Sequence, residues 1–396
     1  MEYYTKRRQI DLIDLLIYIY VLLIPIEDVL QVAGGTLLKY IAIAIIVLSM
    51  ISNRDIISDS LYVKGNGIIY YLLFLSGISI IWSIDISVAY AGILKCVMLM
   101  GVTIAASVRM RSTEKIRMLE NIFILGGIIS VVYILATQDI SQIMQQESIS
   151  AEAYRITTSS ASDANGSAAR LLLPFSISTW KCVDRSEDAP RFKLFYLVSS
   201  FVLSIFMLLT GSRTALIAIL AVLLIYIFLG FQHSVIRNTV IIVLIGFLVY
   251  TLMSQFMPEK LFDRLFSIQR YDLDTQSNSR TKIWESAFQY VLPSMPLWGF
   301  GIGNSPVAMY SVAGYYQGTH NTYLAILMEF GIFGIPAFLY LLFSMLKKML
   351  SHRIIVGFAS MVGLMIVMMF IDVYRVKFMW AALLYFMILI DNAKNL

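Results

Sequence analysis

Apolar runs of roughly 20 residues recur along almost the whole chain, each closed by a short polar or basic stretch. A run of that length crosses a hydrocarbon core as an α-helix. The alternating apolar and polar positions of a membrane barrel are absent. The pattern therefore predicts an all-α polytopic membrane protein, a single membrane domain over residues 1–396 with about twelve spans. These fall near 10–27, 35–52, 66–83, 88–108, 118–136, 164–180, 194–210, 214–231, 239–255, 321–345, 354–371 and 377–391. The first run follows Lys6, Arg7 and Arg8, as a signal peptide would. "PIEDVLQVAGG" after it lacks a small-x-small cleavage site, so a retained first span is expected.

Two polar segments interrupt the pattern. One, about 137–163, reads "ATQDISQIMQQESISAEAYRITTSSASDANG"; the other, about 255–320, lies between spans nine and ten. Loops this long are usually functional or disordered. In "SRTKIWESAFQYVLPSMPLWGFGIGN" the apolar residues Ile283, Trp284, Ala287, Phe288 and Val291 stand at helical spacing. That predicts an amphipathic helix at the membrane interface with Trp284 as its anchor, or a helix packed on the bundle top. Gly299, Gly301 and Gly303 predict a tight turn. They are no dinucleotide fingerprint, because no strand precedes them.

Composition agrees with the pattern: 59% of residues are hydrophobic and 14% charged, against about a quarter charged in soluble domains. The net charge of +5 does not point to nucleic acid, because the basic residues sort by loop. Lys6, Arg7 and Arg8 assign the N-terminus to the cytoplasm under the positive-inside rule. Alternate loops then carry Arg54 and Lys64; Arg109, Arg111, Lys115 and Arg117; Lys181, Arg185, Arg191 and Lys193; Arg237; and Lys347, Lys348 and Arg353. The intervening short loops are nearly free of Lys and Arg. The expected topology is N-in and C-in, with both long loops outside. Cys96 and Cys182 suggest neither a disulfide nor a metal site.

The outer basic residues are few. Arg213, in "TGSRTALIAIL", sits in a turn where Gly211 can close one helix and Ser212 can cap the next. A cation in a first helical turn is disfavoured by the macrodipole unless an anion binds beside it. A side chain snorkelling to lipid headgroups would also explain it. Arg280 precedes the amphipathic helix and Arg155 precedes "ITTSSASDANG". His320 alone of three histidines is outside. With Thr319 as cap it would lie in a first helical turn, where the neutral, proton-accepting ring is favoured. Asp272 and Asp274 in "YDLDT" have the spacing of metal-holding transferases, but fall where nucleotide sugars are not supplied. Lys39, Lys95, Arg170 and Glu329 lie within or beside apolar runs, where an unpaired charge is costly. Glu329 is expected to pair with one of those three cations. Gly331 and Gly334 are expected to admit a neighbouring helix.

"RITTSSASDANGSAARLLLPFS", "GSRTALIAIL", "SRTKIWESAF", "WGFGIGN" and "HNTYLAILMEFGIFG" follow one another in an order that resembles the O-antigen ligase and Wzy-type polymerase superfamily, over roughly residues 150–345. The resemblance implies an inverting, metal-independent glycosyltransferase of the GT-C type in a bacterial plasma membrane, without cofactor. Its donor would be a glycan on undecaprenyl diphosphate at the outer leaflet, its acceptor a glycan or lipid. Membrane lipids and other polysaccharide-assembly proteins would be its remaining partners. Carried over by motif, Arg213 and Arg280 would clamp the diphosphate, with Arg155 a third candidate, and His320 would be the base. Asn165, Asn321, Gly301 and Gly303 would lie at the substrate. The chain departs from the pattern at "RITTSSASDAN", where a glycine usually follows the arginine-threonine stretch. Polymerase and ligase both fit. A transporter or flippase of lipid-linked oligosaccharide is the rival reading, although no repeat relates the two halves as transporters often show.

Overall fold

The computed structural model describes residues 11–138, 156–157, 163–184, 190–230, 235–256, 262, 265, 280–314 and 316–393. Its helices in chain order are α1 Leu12–Leu23, α2 Leu37–Ser52, α3 Ile56–Leu61, α4 Asn66–Ile78, α5 Ile86–Arg109, α6 Thr113–Thr137, α7 Ala164–Val183, α8 Pro190–Leu209, α9 Arg213–Ile225, α10 Val235–Phe256, α11 Arg280–Ser286, α12 Ser305–Ala313, α13 Thr322–Ser351, α14 Ile355–Phe370 and α15 Lys377–Asn392. Every apolar segment predicted from the pattern falls on one of these. Among the described residues, five helices are long and apolar enough to cross a membrane: Ile86–Arg109, Thr113–Thr137, Phe192–Leu209, Arg213–Gly230 and Thr322–Ser351. Leu12–Ile26, Leu37–Ser52, Asn66–Trp82 and Ile355–Phe370 are shorter apolar helices. A two-residue hairpin, Gln31–Val32 against Gly35–Thr36, joins α1 to α2.

Charge sorts the two ends of the bundle. At one end Asp14 of α1 takes Arg109 of α5 at 3.1 Å and Lys115 of α6 at 2.7 Å. Arg111 reaches Asp391 of α15, and Lys181 of α7 meets Glu120 of α6 at 2.8 Å. These are the helix ends that the basic loops were expected to mark, and their assignment to the cytoplasm rests on the positive-inside rule. Toward the opposite end Glu27 joins Lys377 at 2.6 Å and Arg170, which also binds Asp28. Between the two ends polar side chains pin helix to helix. Ser360 of α14 donates to Ser176 of α7 at 2.7 Å, and Ser176 lies 2.7 Å from the Tyr226 hydroxyl. Where lipid is as apolar as leucine, such bonds and close packing hold helices together.

The long helix α13 is broken. Gly331 has φ 56° and ψ −144°, outside the helical region. The carbonyls of Met328 and Glu329, which would have continued the helical ladder, instead accept from Phe300 and Gly301 at 2.8 and 3.0 Å. Ile332 donates back to Leu297 at 2.9 Å. A loop segment, 297–301, with Gly299 and Gly301 at positive φ, has thus been laid into the opened helix. Such backbone is tolerated inside a membrane protein only where protein groups satisfy it, which these three bonds do. Gly331 was expected to admit a neighbouring helix. It admits a loop backbone instead, because a Cβ there would stand 1.9 Å from the Leu297 carbonyl oxygen.

Around this insertion a second, smaller core forms from Ile283, Ala287, Val291, Phe300, Ala308, Met309, Leu324 and Met328. Ile283, Ala287 and Val291 are the helical-spacing residues of the large loop, and all three are fully buried, whereas Phe288 is exposed. Three of the five helical-spacing residues of that helix thus pack into this core.

Candidate functional site

The segment before α13 sets the site. Asn321, not Thr319, is the N-cap: its Oδ1 accepts from the Leu324 N–H at 3.0 Å. His320 therefore stands just outside the helix, with φ 49°, a left-handed conformation rare for a residue with a Cβ. Thr319 is fully buried, and its hydroxyl accepts from the Asn321 N–H and donates to the Asn321 carbonyl. The Thr319 carbonyl accepts from the indole N–H of Trp284 at 2.8 Å. The Trp284 ring stacks on Phe370 with centroids 6.2 Å apart.

Arg280, four residues before Trp284, lies with its guanidinium over the same Phe370 ring, 5.9 Å from the centroid. Its charge is felt at His320. Burial first, and Arg280 second, lower the imidazole pKa below the usual 6.5, with the Asp163 carboxylate opposing them. The Gln317 amide nitrogen is 3.3 Å from His320 Nε2. The neutral ring is favoured, as expected, though by burial and a cation rather than by a helix end.

Asp163 belongs to the start of α7, where its carboxylate accepts from the N–H groups of Asn165 and Gly166, both at 3.2 Å. The Asn165 side-chain amide also reaches it. Arg213 is the first residue of α9, as the turn chemistry predicted. Gly211 has φ 65°, and Ser212 Oγ accepts from the Ala215 N–H at 3.3 Å. Arg213 is exposed. At the far end of the bundle Gly230, Trp180 and Ile355 crowd together, a Cβ on Gly230 falling 2.8 Å from Trp180 and 3.7 Å from Ile355. The opposite termini of those helices, with Asp163, Arg213 and Phe370, consequently share the His320 end. Thr322 ties α13 to the same end by donating to the Ile371 carbonyl at 2.7 Å and accepting from Val373.

Not every candidate joins this group. Arg155, Asp272 and Asp274 lie outside the described residues. Gly301 and Gly303 are buried about Glu329 instead. Gly301 binds its carbonyl and Gly303 donates to its Oε2. Glu329 is fully buried and accepts further from Ser305 Oγ at 2.8 Å and from the Tyr374 hydroxyl. Its ion pair is with Arg375 at 3.5 Å. Of the three expected partners, Arg170 is engaged with Glu27 and Asp28 and Lys39 with the Gly34 carbonyl, and Lys95 makes no ion pair with Glu329. Arg375 in turn lies 3.8 Å from Asp372 and over the Tyr374 ring. The signal for this cluster was present in "IDVYRVK", a turn with two basic residues in the alternate set of short turns otherwise nearly without them.

The model of the O-antigen ligase family matches residues 198–339. This stretch is O-antigen ligase-like, as its motifs implied. The matched stretch holds Arg213, Arg280, Gly301, Gly303, His320, Asn321 and Glu329, while Asp163, Asn165, Phe370 and Arg375 come from outside it. The match and the apolar helices support a membrane glycosyltransferase of the O-antigen ligase or polymerase type. No curated protein matches the chain.

Proposed function

We propose that the protein transfers a glycan from undecaprenyl diphosphate to an acceptor hydroxyl at the outer face of the bacterial plasma membrane, with inversion. His320 takes the proton of the acceptor hydroxyl as its oxygen attacks the anomeric carbon. The bond from that carbon to the diphosphate oxygen breaks, and the lipid diphosphate leaves with its charge held by Arg213 and Arg280. Preorganised guanidinium groups supply several kcal/mol of such stabilisation without a metal. General-base help contributes about two to four decades in rate. The observation that carries this reading is the meeting of a half-buried histidine, biased toward its neutral form, with Arg280, the two segments joined through Trp284. Arg213, at the same end of the bundle, offers a helix N-terminus suited to an anion.

The test uses purified protein in lipid nanodiscs with its undecaprenyl diphosphate-linked repeat unit, products being separated by size. A ladder of longer lipid-linked glycans identifies a polymerase; transfer only after a second acceptor is added identifies a ligase. His320→Ala is expected to lose at least about a hundredfold in turnover. A folded, inserted His320→Ala protein with full activity would overturn the base assignment, and unimpaired Arg213→Ala and Arg280→Ala proteins would overturn the clamp.

A further inference from the structure

Two groups that must cooperate, Arg280 and His320, stand on separate segments 40 positions apart in the numbering. One side chain joins them. Arg280 and Trp284 are four residues apart, so they share a face of α11, and both meet the Phe370 ring. From that face the Trp284 indole N–H reaches the carbonyl of Thr319, the residue before His320. This carbonyl needs a donor. Thr319 is fully buried, and the left-handed φ at His320 turns the chain away from helical pairing. Indole offers a single donor and no acceptor, so its hydrogen bond has one direction only.

We propose that Trp284 is a positioning residue of the site, holding the His320 ring at a fixed separation from Arg280 through the Thr319 carbonyl and the Phe370 ring. The proposal rests on the reading under Proposed function. Among the described residues, three groups act on the imidazole: Arg280 from α11, Asp163 from the start of α7 and Gln317 from its own loop. Release of the Thr319 carbonyl would let His320 turn away from Arg280 and toward water, and both changes raise its pKa. Catalysis is sensitive to this, because a misplacement of about 1 Å can cost a hundredfold in rate.

The decisive variant is Trp284→Phe, which keeps a ring against Phe370 and loses the N–H. Its turnover should fall about tenfold to a hundredfold with the KM for the lipid-linked donor little changed. His320, observed by carbon-13 resonance in a protein whose His233 and His352 are replaced by asparagine, should titrate at a higher pH than in the parent. Phe370→Leu keeps the N–H and removes the surface under Arg280. It should raise the donor KM and leave the His320 titration nearer to the parent. Wild-type turnover and titration in Trp284→Phe would overturn the proposal. So would a lost rate with an unmoved titration, since that marks a residue needed only for folding. If Trp284→Phe does not fold, Phe370→Leu decides, and a parent-like donor KM in it counts against the proposal. His320→Ala run in parallel separates the two levels. Full activity there removes the reading beneath, whereas an inactive His320→Ala beside an unaffected Trp284→Phe removes only the role of Trp284.

Discussion

Glu329 illustrates how a single charge is made tolerable inside an apolar bundle. Its carboxylate accepts from Gly303, Ser305 and Tyr374 and pairs with Arg375, so both oxygens have donors and the charge has a counterion. Removing one partner of a buried pair typically costs about 3–5 kcal/mol, because the other charge is left uncompensated. Arg375 keeps Asp372 at 3.8 Å, so Glu329→Gln should fall toward the lower side of that range. The expected outcome is a clearly lowered thermal unfolding midpoint, partly restored by adding Arg375→Met, as a double-mutant cycle would read. A Glu329→Gln protein of parental stability that had lost all transfer would instead assign Glu329 to the chemistry. His320 makes a second prediction at this scale. Burial and Arg280 hold its folded pKa below 6.5, so the folded protein binds its proton less readily than the unfolded chain. The contribution to stability is present above that pH and is lost as the pH falls below it. Activity should follow, with an acid limb below pH 6.5 in a rate profile.

At the scale of elements, the break in α13 seats the loop segment 297–301. Gly331 has a backbone angle that L side chains rarely adopt, and a Cβ on it would overlap the Leu297 carbonyl. Gly331→Ala should therefore expel segment 297–301 and misplace the whole large loop, Arg280 included. The measurement is unfolding in detergent or nanodiscs. A loss of several kcal/mol is expected, with Gly77→Ala as the control, since nothing lies within 4 Å of a Cβ there. A helical alanine at Gly77 should stabilise, by about 0.5–1 kcal/mol. Equal behaviour of the two substitutions would show that the break contributes nothing. The motif "EFGIFG" was legible as small residues at a helix contact, but not as a break. A glycine in an apolar run reads the same whether a helix or a loop backbone approaches it.

For the whole molecule, the basic loops predict which end faces the cytoplasm. Cysteines placed at Tyr310, exposed on α12, and at Ser351, exposed at the end of α13, test it in a Cys182→Ser background; Cys96 is fully buried. An impermeant maleimide should label Tyr310→Cys in intact cells, and Ser351→Cys only after permeabilisation. The reverse pattern would invert the topology. By itself the sequence determined the helical class, the position of every apolar segment, the sorting of basic ends and the Gly211–Ser212 turn, and its motifs supplied the proposal of Arg213, Arg280 and His320. All of these are local: run length, loop charge and turn chemistry need no distant partner. Only the tertiary structure decided that Asn321 caps α13, that Trp284 holds the His320 loop, and that Glu329 answers Arg375. The physical reason is separation along the chain. Trp284 meets Thr319 across 35 positions and Glu329 meets Tyr374 across 45, and no periodicity in the sequence encodes which of several buried charges or carbonyls will find each other once the helices pack.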